Sequence, residues 1–597
     1  MDTHFIAEHL TMQNLLNCYI KETGRGEWQE QTMPGLPDEH ESILTVPFDR
    51  QSIILYIPVR YRSETGRHIF SEDMYYRLLE GELQRLDFLT LIHVMQKDLG
   101  EMTTENVHTE EMVLRTILSY QTMEGNLSCR SRDYDECYQT DKTFLQSEQS
   151  LLAGHQLHPT PKSLQGIDEE ELGIYLPERK GAFQLHYFLA EEELVEEDSA
   201  ARHRASTIIK EELKRDPLAT DDFKRRYCRE DAAPLIPVHP LQARKLLGRD
   251  DVKHHIEAGR LIYLGPKGRK YHPTSSVRTV YNRNADYMYK FSIPVKITNS
   301  LRMNKRKELD RGVEVSHLLR EVMKSDMGAL HPKFQIIEDP AYITLDLGGN
   351  ESGFEVVIRD NPFQNDREER TTLLAGLCQD HIAGGKSHLA NIIEKIAGNE
   401  QISTGRASEN WFRRYLEISL RPLYRMYTTY GIALEPHQQN AVVKMNVSGY
   451  PERFYSRDNQ GYYFMESKAQ NLREIVPGLN EKSDTICADG IAEERFRYYF
   501  FFNNLFGLIN AFGVNRLADE QQLLSILRDE LLELFRKYGD STDLINSLLN
   551  EETLPCKANL LTRFYGMDEL EGTLETQSVY APAGNPLYET AGGLYEV

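Results

Sequence analysis

Apolar residues recur at helical spacing through FIAEHLTMQNLLNCYIKE (5–22), which predicts an amphipathic helix. QSIILYIPVRY (51–61) reads as a strand, and DMYYRLLEGELQRLDFLTLIHVMQKDL (73–99) returns to helix. Residues 1–150 are therefore expected to be mostly helical with a central strand passage. From about 260 to 365 strand patterns dominate, at 259–265, 287–298, 341–348 and 354–360. The acidic run EEELVEEDS (191–199) reads as a solvated surface segment. Helical spacing resumes at 368–382, 409–431 and 494–513, around a strand pair near 440–464. No internal repeat or low-complexity tract interrupts the chain. The expected class is α+β, helix-rich first, mixed in the middle, and mixed but mainly helical at the end.

A chain of 597 residues exceeds one hydrophobic core, so roughly two to four domains are expected. With 40% apolar and 27% charged residues, the composition is that of a globular protein. No apolar run reaches the roughly 20 residues that span a bilayer. MDTHFIAEHLTMQNLL mixes acids with apolar residues and lacks a signal-peptide pattern, so a cytoplasmic location without membrane attachment is expected. The seven cysteines (18, 129, 137, 228, 378, 487 and 556) are odd in number and show no CxxC spacing. They support neither a disulfide framework nor a zinc site, and reduced, mostly buried thiols are expected. A net charge of −23 argues against a nucleic-acid-binding surface. It suits either a cationic substrate or solubility alone.

Four stretches gather polar groups. GHQLHPTPKSLQG (154–166) holds His155, His158 and Lys162 in a segment too rich in Pro and Gly for a regular helix. It reads as a polar loop, as half of a metal site without a third ligand, or as an anion cradle; Lys162 favours the cradle. YHPTSSVRTVY (271–281) carries Ser276, Arg278 and Thr279. If it is extended, Ser276 and Arg278 share a face fit for phosphate oxygens; an ordinary polar edge strand is the alternative. In KFSIPVKITNSLRMNKRKEL (290–309), Phe291, Ile293, Val295 and Ile297 alternate with polar residues. The polar face presents Lys290 and Thr298, with Arg302 just beyond, so Lys290 and Arg302 would flank one anion unless the face is merely solvated. Pro294 hints at an edge strand.

GIALEPHQQNAVV (431–443) and RDNQGYYF (457–464) form the fourth group. Glu435, His437 and Gln439 share a face if the segment is extended. A hairpin turning at NVSGYP places Asn440 across from Asp458, give or take about two residues. A carboxylate beside an amide oxygen suits Mg²⁺, which shares such ligands with phosphates; the alternative is a polar hairpin end. No Walker A, GxGxxG or GxSxG sequence is present. Together the residues point to an ATP-dependent enzyme acting on an anionic substrate.

In this order the stretches resemble the NRPS-independent siderophore synthetases, the IucA/IucC-like family. IPVHPLQ (236–242), SSVRT, KITNSLR, EPHQQN and CKANLLTRF (556–564) add to the likeness, which covers nearly the whole chain. A narrower likeness, to the petrobactin-type citrate-activating branch, rests on LLNCYIKETGRGEW (15–28), ESGFEVVIRDNPF (351–363) and ERFRYYFFFNNLFGLINAFG (494–513).

The resemblance implies a cupped hand: a thumb (1–165, helix-rich with some strand), fingers (166–370, mixed with antiparallel sheet) and a distantly kinase-like palm (371–597, mainly helical with a hairpin). It implies that ATP activates a carboxylate as an acyl adenylate, and that an amine or alcohol then displaces AMP. Citrate and a polyamine, spermidine, are the implied substrates, with Mg²⁺ as cofactor and a homodimer as the assembly. Carried over by motif, His158, Lys162, Ser276, Arg278, Thr279, Lys290, Gln439 and Asn440 would bind ATP. Asp458, with Glu435, would hold the metal. Thr298, Arg302, His437, Arg495 and Lys557 would grip citrate, with Arg302 and His437 catalytic; no general base stands out, and His437 is the candidate. The family's first motif carries arginine where this chain has Leu164. The same chemistry on a citryl monoamide, 2-oxoglutarate or another amine is the alternative, and phosphotransfer or nucleotide binding alone is a more distant one.

Overall fold

The computed structural model describes all residues except 1, 31–35, 37–41, 80, 102–108, 299, 459, 540–542, 568–577 and 589–597. Asn299 and Asn459, which fall in the motifs quoted above, thus lie outside the described residues, as does position 80 in the segment expected to be helical.

The predicted first helix forms as Thr3–Thr23, capped by the Asp2 carboxylate at the Phe5 amide and ended by Gly24 at φ 66°. It packs with Thr109–Cys129 and Phe88–Glu101 beside an antiparallel sheet whose central strands are Ser42–Phe48 and Ile53–Tyr61. The segment 73–99 is not one helix. Tyr75–Leu78 pairs with Ile53–Tyr56, Gln84–Arg85 turns back onto it, and the helix starts only at Phe88. Asp87 is the reason for that start: its carboxylate accepts from the Thr90 amide and hydroxyl at 3.0 and 2.7 Å.

The middle of the chain builds an eight-stranded antiparallel sheet. Its order is Leu235–Val238, Phe183–Ala190, Leu261–Pro273, Thr279–Tyr281, Tyr287–Phe291, Val356–Asp360, Ala341–Leu345 and Val195–Ser199. The acidic run is therefore partly strand. Val195–Ser199 pairs with Ala341–Leu345 as an edge, where Arg204 meets Glu197 and Arg306 meets Glu196, and charge on an edge blocks further pairing. Thr371–Leu373, expected within a helix, pairs instead with Val442–Lys444; only Leu374–Cys378 is helical there. In the last third, long helices such as Thr404–Ile418 and Glu520–Tyr538 surround a four-stranded sheet that contains the predicted hairpin, Ala441–Met445 with Pro451–Arg457.

Three main apolar cores result. One gathers residues of 172–358, one residues of 315–587, and one residues of 12–112 together with Leu560 and Phe564. The Glu22 carboxylate seals this last junction by accepting from the Leu560 and Leu561 amides at 2.9 and 2.8 Å. All seven cysteines are free, and Cys129 alone is exposed.

His239 tests how the middle core responds to acid. It is fully buried, its Nδ1 caps helix Pro240–Gly248 at the Leu241 amide, and burial lowers its pKa to about 3. Its unfolded value is about 6.5. The unfolded chain thus binds the extra proton between those values, and the stability owed to the neutral ring is present above pH 6.5 and is lost as pH falls toward 3. His239→Asn keeps a capping acceptor but does not titrate. Chemical denaturation between about pH 4 and 6.5 is expected to show a shallower pH dependence in the variant than in wild type; equal slopes would refute the assignment.

Candidate active site

The first and third polar stretches are joined through main chain. Leu164–Gln165 pairs antiparallel with Lys296–Ile297, which pairs with Ser300–Leu301, and the Thr298 amide donates to the Ser163 carbonyl at 3.1 Å. Leu164 packs on the margin of the middle core, a place that takes an apolar residue. Thr298 sits at φ 50°, where a β-branched residue is strained. Arg302 Nη2 donates to Thr298 Oγ1 at 3.0 Å and to the Ile297 carbonyl at 3.2 Å, so the two predicted citrate-gripping residues touch.

The second stretch is a tight turn rather than an extended segment. Ser276 Oγ accepts from the Thr279 amide at 3.1 Å and Val277 lies at φ 64°, so Ser276 and Arg278 do not alternate along a strand. Arg278 instead reaches inward and donates to Asn304 Oδ1 and Gln460 Oε1, both at 3.0 Å. Burial lowers its pKa to about 10; Arg302 and Arg359 push the same way, while Glu308 and Asp458 oppose.

Thr279 pairs across strands with Lys290. The alternative of a merely solvated face does not hold here: Lys290 is 3% exposed and Ser292 2%. The strand ends at Phe291 because Ser292 turns to the Glu355 carboxylate, and Asn304 folds back onto the Lys290 carbonyl. Lys290 Nζ meets Asp458 Oδ1 at 2.6 Å, and Arg359 Nη2 reaches the same oxygen at 3.3 Å. Burial opposes the charge on Asp458, but Lys290, Arg359 and Arg278 hold its pKa far below the usual carboxylate range. Burial lowers Lys290 to about 8, against the pull of Asp458. Arg359 was not singled out by the sequence; its only signal was a cation inside an apolar strand, FEVVIRD.

The hairpin register sets Ala441 opposite Ser456, and the Arg457 amide donates to the Asn440 carbonyl at 3.2 Å. Asp458 is thus one residue beyond the pairing predicted from Gly449, because the turn is centred on Ser448, and the bulge at Lys444/Met445 makes up only one of the two residues. Asp458 lies at φ 108° and turns away from the strand toward Lys290. Gln439 Nε2 donates to Ser275 Oγ at 3.2 Å, tying the hairpin to the second stretch.

Glu435, His437 and Gln439 do not share an extended face. The strand stops at Leu434, and the His437 carbonyl accepts from the Asn440 and Ala441 amides, both at 2.9 Å, in a turn. Glu435 accepts from the Tyr463 hydroxyl. Burial raises its pKa, Lys557 and Arg495 oppose, and Asp458 adds to the rise. The His437 ring stands 5.6 Å from that of Tyr499, whose hydroxyl accepts from Lys557 Nζ at 3.4 Å. Burial lowers His437 to about 3 and His155 pushes the same way, so its imidazole is neutral at physiological pH. Arg495 lies over the Tyr580 ring, 4.9 Å from its centroid. Glu435, His437, Arg495 and Lys557 therefore form a tyrosine-lined nest, in which Glu435 and His437 feel the charge of Asp458.

The opening stretch is a compact loop. His158 Nδ1 accepts from the Thr160 amide, and the His155 and His158 rings lie 6.4 Å apart. The Lys162 ammonium pairs with Glu178, not with Asp458. A cavity of about 20 Å³ lined by His155, Asn503, Lys557 and Asn559 adjoins the nest. Of two larger cavities, that of about 400 Å³ is lined by none of the candidate residues, and that of about 660 Å³ borders the opening stretch at Gly154 and Gln156. No cluster of three or more metal-ligating side chains occurs among the described residues. Asp458 and Glu435 are carboxylates of the kind Mg²⁺ takes as oxygen ligands and shares with phosphates, and Asp458 Oδ1 is here held by Lys290 and Arg359. The donor set of Arg278, Lys290, Ser276 and Thr279 suits a polyphosphate.

Residues 143–379 match the model of the IucA / IucC family, and residues 409–572 match that described as ferric iron reductase FhuF-like transporter. No helix among the described residues is long and apolar enough to cross a membrane. The chain is 44% identical over 592 residues to a spermidine-citrate ligase of Bacillus anthracis, with 98% of each chain covered. It is 36% identical to the rhizobactin siderophore biosynthesis protein RhbC of Rhizobium meliloti, again with 98% of each covered. ATP-bound aerobactin synthetase IucA from Klebsiella pneumoniae superposes with a TM-score of 0.87 at 25% identity, covering 97% of this chain and 99% of that one.

Proposed function

The chain belongs to the IucA/IucC family, and on that premise we propose that it is an ATP-dependent siderophore synthetase, a ligase that joins citrate to spermidine through an amide bond. The observation that carries this is the 44% identity, over 98% of both chains, to a spermidine-citrate ligase. A citrate carboxylate attacks the α-phosphorus of ATP and expels pyrophosphate. The amine nitrogen then attacks the citryl carbonyl, AMP leaves, and the amide forms.

Two anions must approach each other in the first step, and cations make this possible. Ser276, Arg278, Thr279 and Lys290 bind the phosphates, His158 and Lys162 extend the cradle once Lys162 leaves Glu178, and Gln439 and Asn440 line the nucleotide. Asp458 and Glu435 would hold Mg²⁺, which would supply further charge neutralisation at the phosphates. Arg302 takes a citrate carboxylate bidentately beside Thr298, and Arg495 and Lys557 add positive charge for the same acid. His437, with a pKa of about 3, is a weak base and acts as a neutral hydrogen-bond partner of citrate. Positioning and electrostatics carry the rate.

On this reading the chain divides into thumb (1–165), fingers (166–370) and distantly kinase-like palm (371–597); the apolar cores cross these limits, since residues of 315–336 join the core that runs to 587, and Leu560 and Phe564 join that of 12–112. The family likeness implies a homodimer, and a cytoplasmic location follows from this reading since ATP and citrate are both met there.

Mass spectrometry of reactions containing ATP, Mg²⁺, citrate and a panel of di- and polyamines is expected to find citryl-spermidine, AMP and pyrophosphate. Hydroxylamine in place of the amine should trap citryl hydroxamate. Formation of ADP, or activation of a citryl monoamide or 2-oxoglutarate in preference to free citrate, would overturn the proposal.

A further inference from the structure

Helix Thr109–Cys129 carries Glu111 and Arg115 one turn apart, and this pair touches three of the segments that build the site. Arg115 is fully buried. Its Nε donates to Glu111 Oε1 at 2.8 Å, and its Nη1 donates to the Thr298 carbonyl at 3.1 Å and to the Ser163 hydroxyl at 3.3 Å. Glu111 Oε1 also pairs with Lys296 Nζ at 3.2 Å and with Arg563 Nη2 at 2.9 Å. One carboxylate thus links the helix to the segment holding Thr298 and Arg302 and to the C-terminal motif holding Lys557. Burial would raise Glu111, but hydrogen bonds from Arg115 and Lys296 hold it at about 2, so it stays ionised.

Thr298 needs such support. Its φ of 50° brings Cβ against the backbone, and an unsupported threonine returns to negative φ. Three groups resist that return: Ser163 at its amide, Arg302 at its hydroxyl and Arg115 at its carbonyl. Relaxation would swing Oγ1 off Arg302. Among the described residues Arg115 bonds neither Lys290 nor Asp458; its one contact on the phosphate side is its longest bond, to the Ser163 hydroxyl beside Lys162, so its influence falls mainly on the acid side of the site.

We propose that Arg115, braced by Glu111, is a positioning residue that locks Thr298 in its strained conformation and so aims Thr298 and Arg302 at the carboxylate substrate. This rests on the citrate-activating reading given above.

The test compares full-length wild type with Arg115→Ala, Arg115→Lys and Glu111→Gln. It measures the KM for citrate, the KM for ATP, thermal midpoints and hydrogen exchange of a peptide covering 293–303. Arg115→Ala is expected to raise the citrate KM about tenfold or more while the ATP KM stays within about twofold. Exchange in 293–303 should quicken, and Arg115→Lys should recover part of both effects. Should the alanine variant not fold, the lysine and glutamine variants carry the same comparison. Parallel rises in both KM values, or unchanged exchange at 293–303, would overturn the positioning role. A wild type that releases no pyrophosphate with citrate would instead overturn the proposed function itself.

Discussion

Arg302→Ala is expected to abolish citrate-dependent pyrophosphate release while the protein stays folded. The backbone at this position is held without the side chain: the Arg302 amide donates to the Val295 carbonyl at 3.0 Å, and its own carbonyl accepts from the Ile293 amide at 2.9 Å. The guanidinium is half-buried and orders Thr298 Oγ1 and the Ile297 carbonyl. On the proposed role, its removal takes away the planar fork that would grip one carboxylate and the charge that would let that carboxylate approach phosphorus. Loss of one such electrostatic contact costs about 10²–10³ in rate, and here citrate binding is lost as well. Arg302→Lys keeps the charge but not the fork and should fall between the two. Pyrophosphate release and a thermal melt, measured side by side, check this. Activity above roughly a tenth of wild type, well outside the range expected for an electrostatic anchor, would remove Arg302 from the mechanism.

Asp458→Asn is expected to damage both stability and activity. The carboxylate is the shared partner of Lys290 and Arg359 and sits in the field of Arg278. Neutralising it leaves Lys290 without its counter-ion in the interior, and breaking a buried pair on one side costs about 3–5 kcal/mol. Because the folded pKa is depressed, the stability Asp458 contributes is present above its unfolded value and is lost as pH falls below it. The variant should therefore differ most from wild type near neutrality and less in acid. Adding Lys290→Met removes the stranded cation, so the double variant should regain part of the stability and none of the activity. Urea unfolding at neutral and acid pH gives the readout. A single variant as stable as wild type at pH 7 would show that the ion pair is not the partner Lys290 depends on.

Much of this architecture was legible where one period dominates. The helices at 5–22, 409–431 and 494–513 and the hairpin around NVSGYP follow from spacing that tertiary contacts reinforce. The segment 73–99 misled because Tyr75 and Tyr76 fit a helical count equally well; the capping residue Asp87 was the sign that the helix began later. Thr371 and Thr372, β-branched neighbours, marked a strand inside an apparent helix. Site residues were legible as types but not as partners. Lys290 looked like one polar position of an alternating strand, whereas its burial depends on Asp458, 168 positions away in sequence. Arg359 hid inside an apolar strand, and Glu111 with Arg115 looked like any exposed helical ion pair at i, i+4. Spacing cannot reveal partners that only the closed fold brings within reach.

Leu560 and Phe564 complete a core whose other members come from residues 12–112. During synthesis that early core must wait, its apolar side uncovered, until residues 560–564 have emerged from the ribosome. The nascent chain is thus exposed to aggregation over a long stretch of translation, and chaperone dependence should be concentrated there.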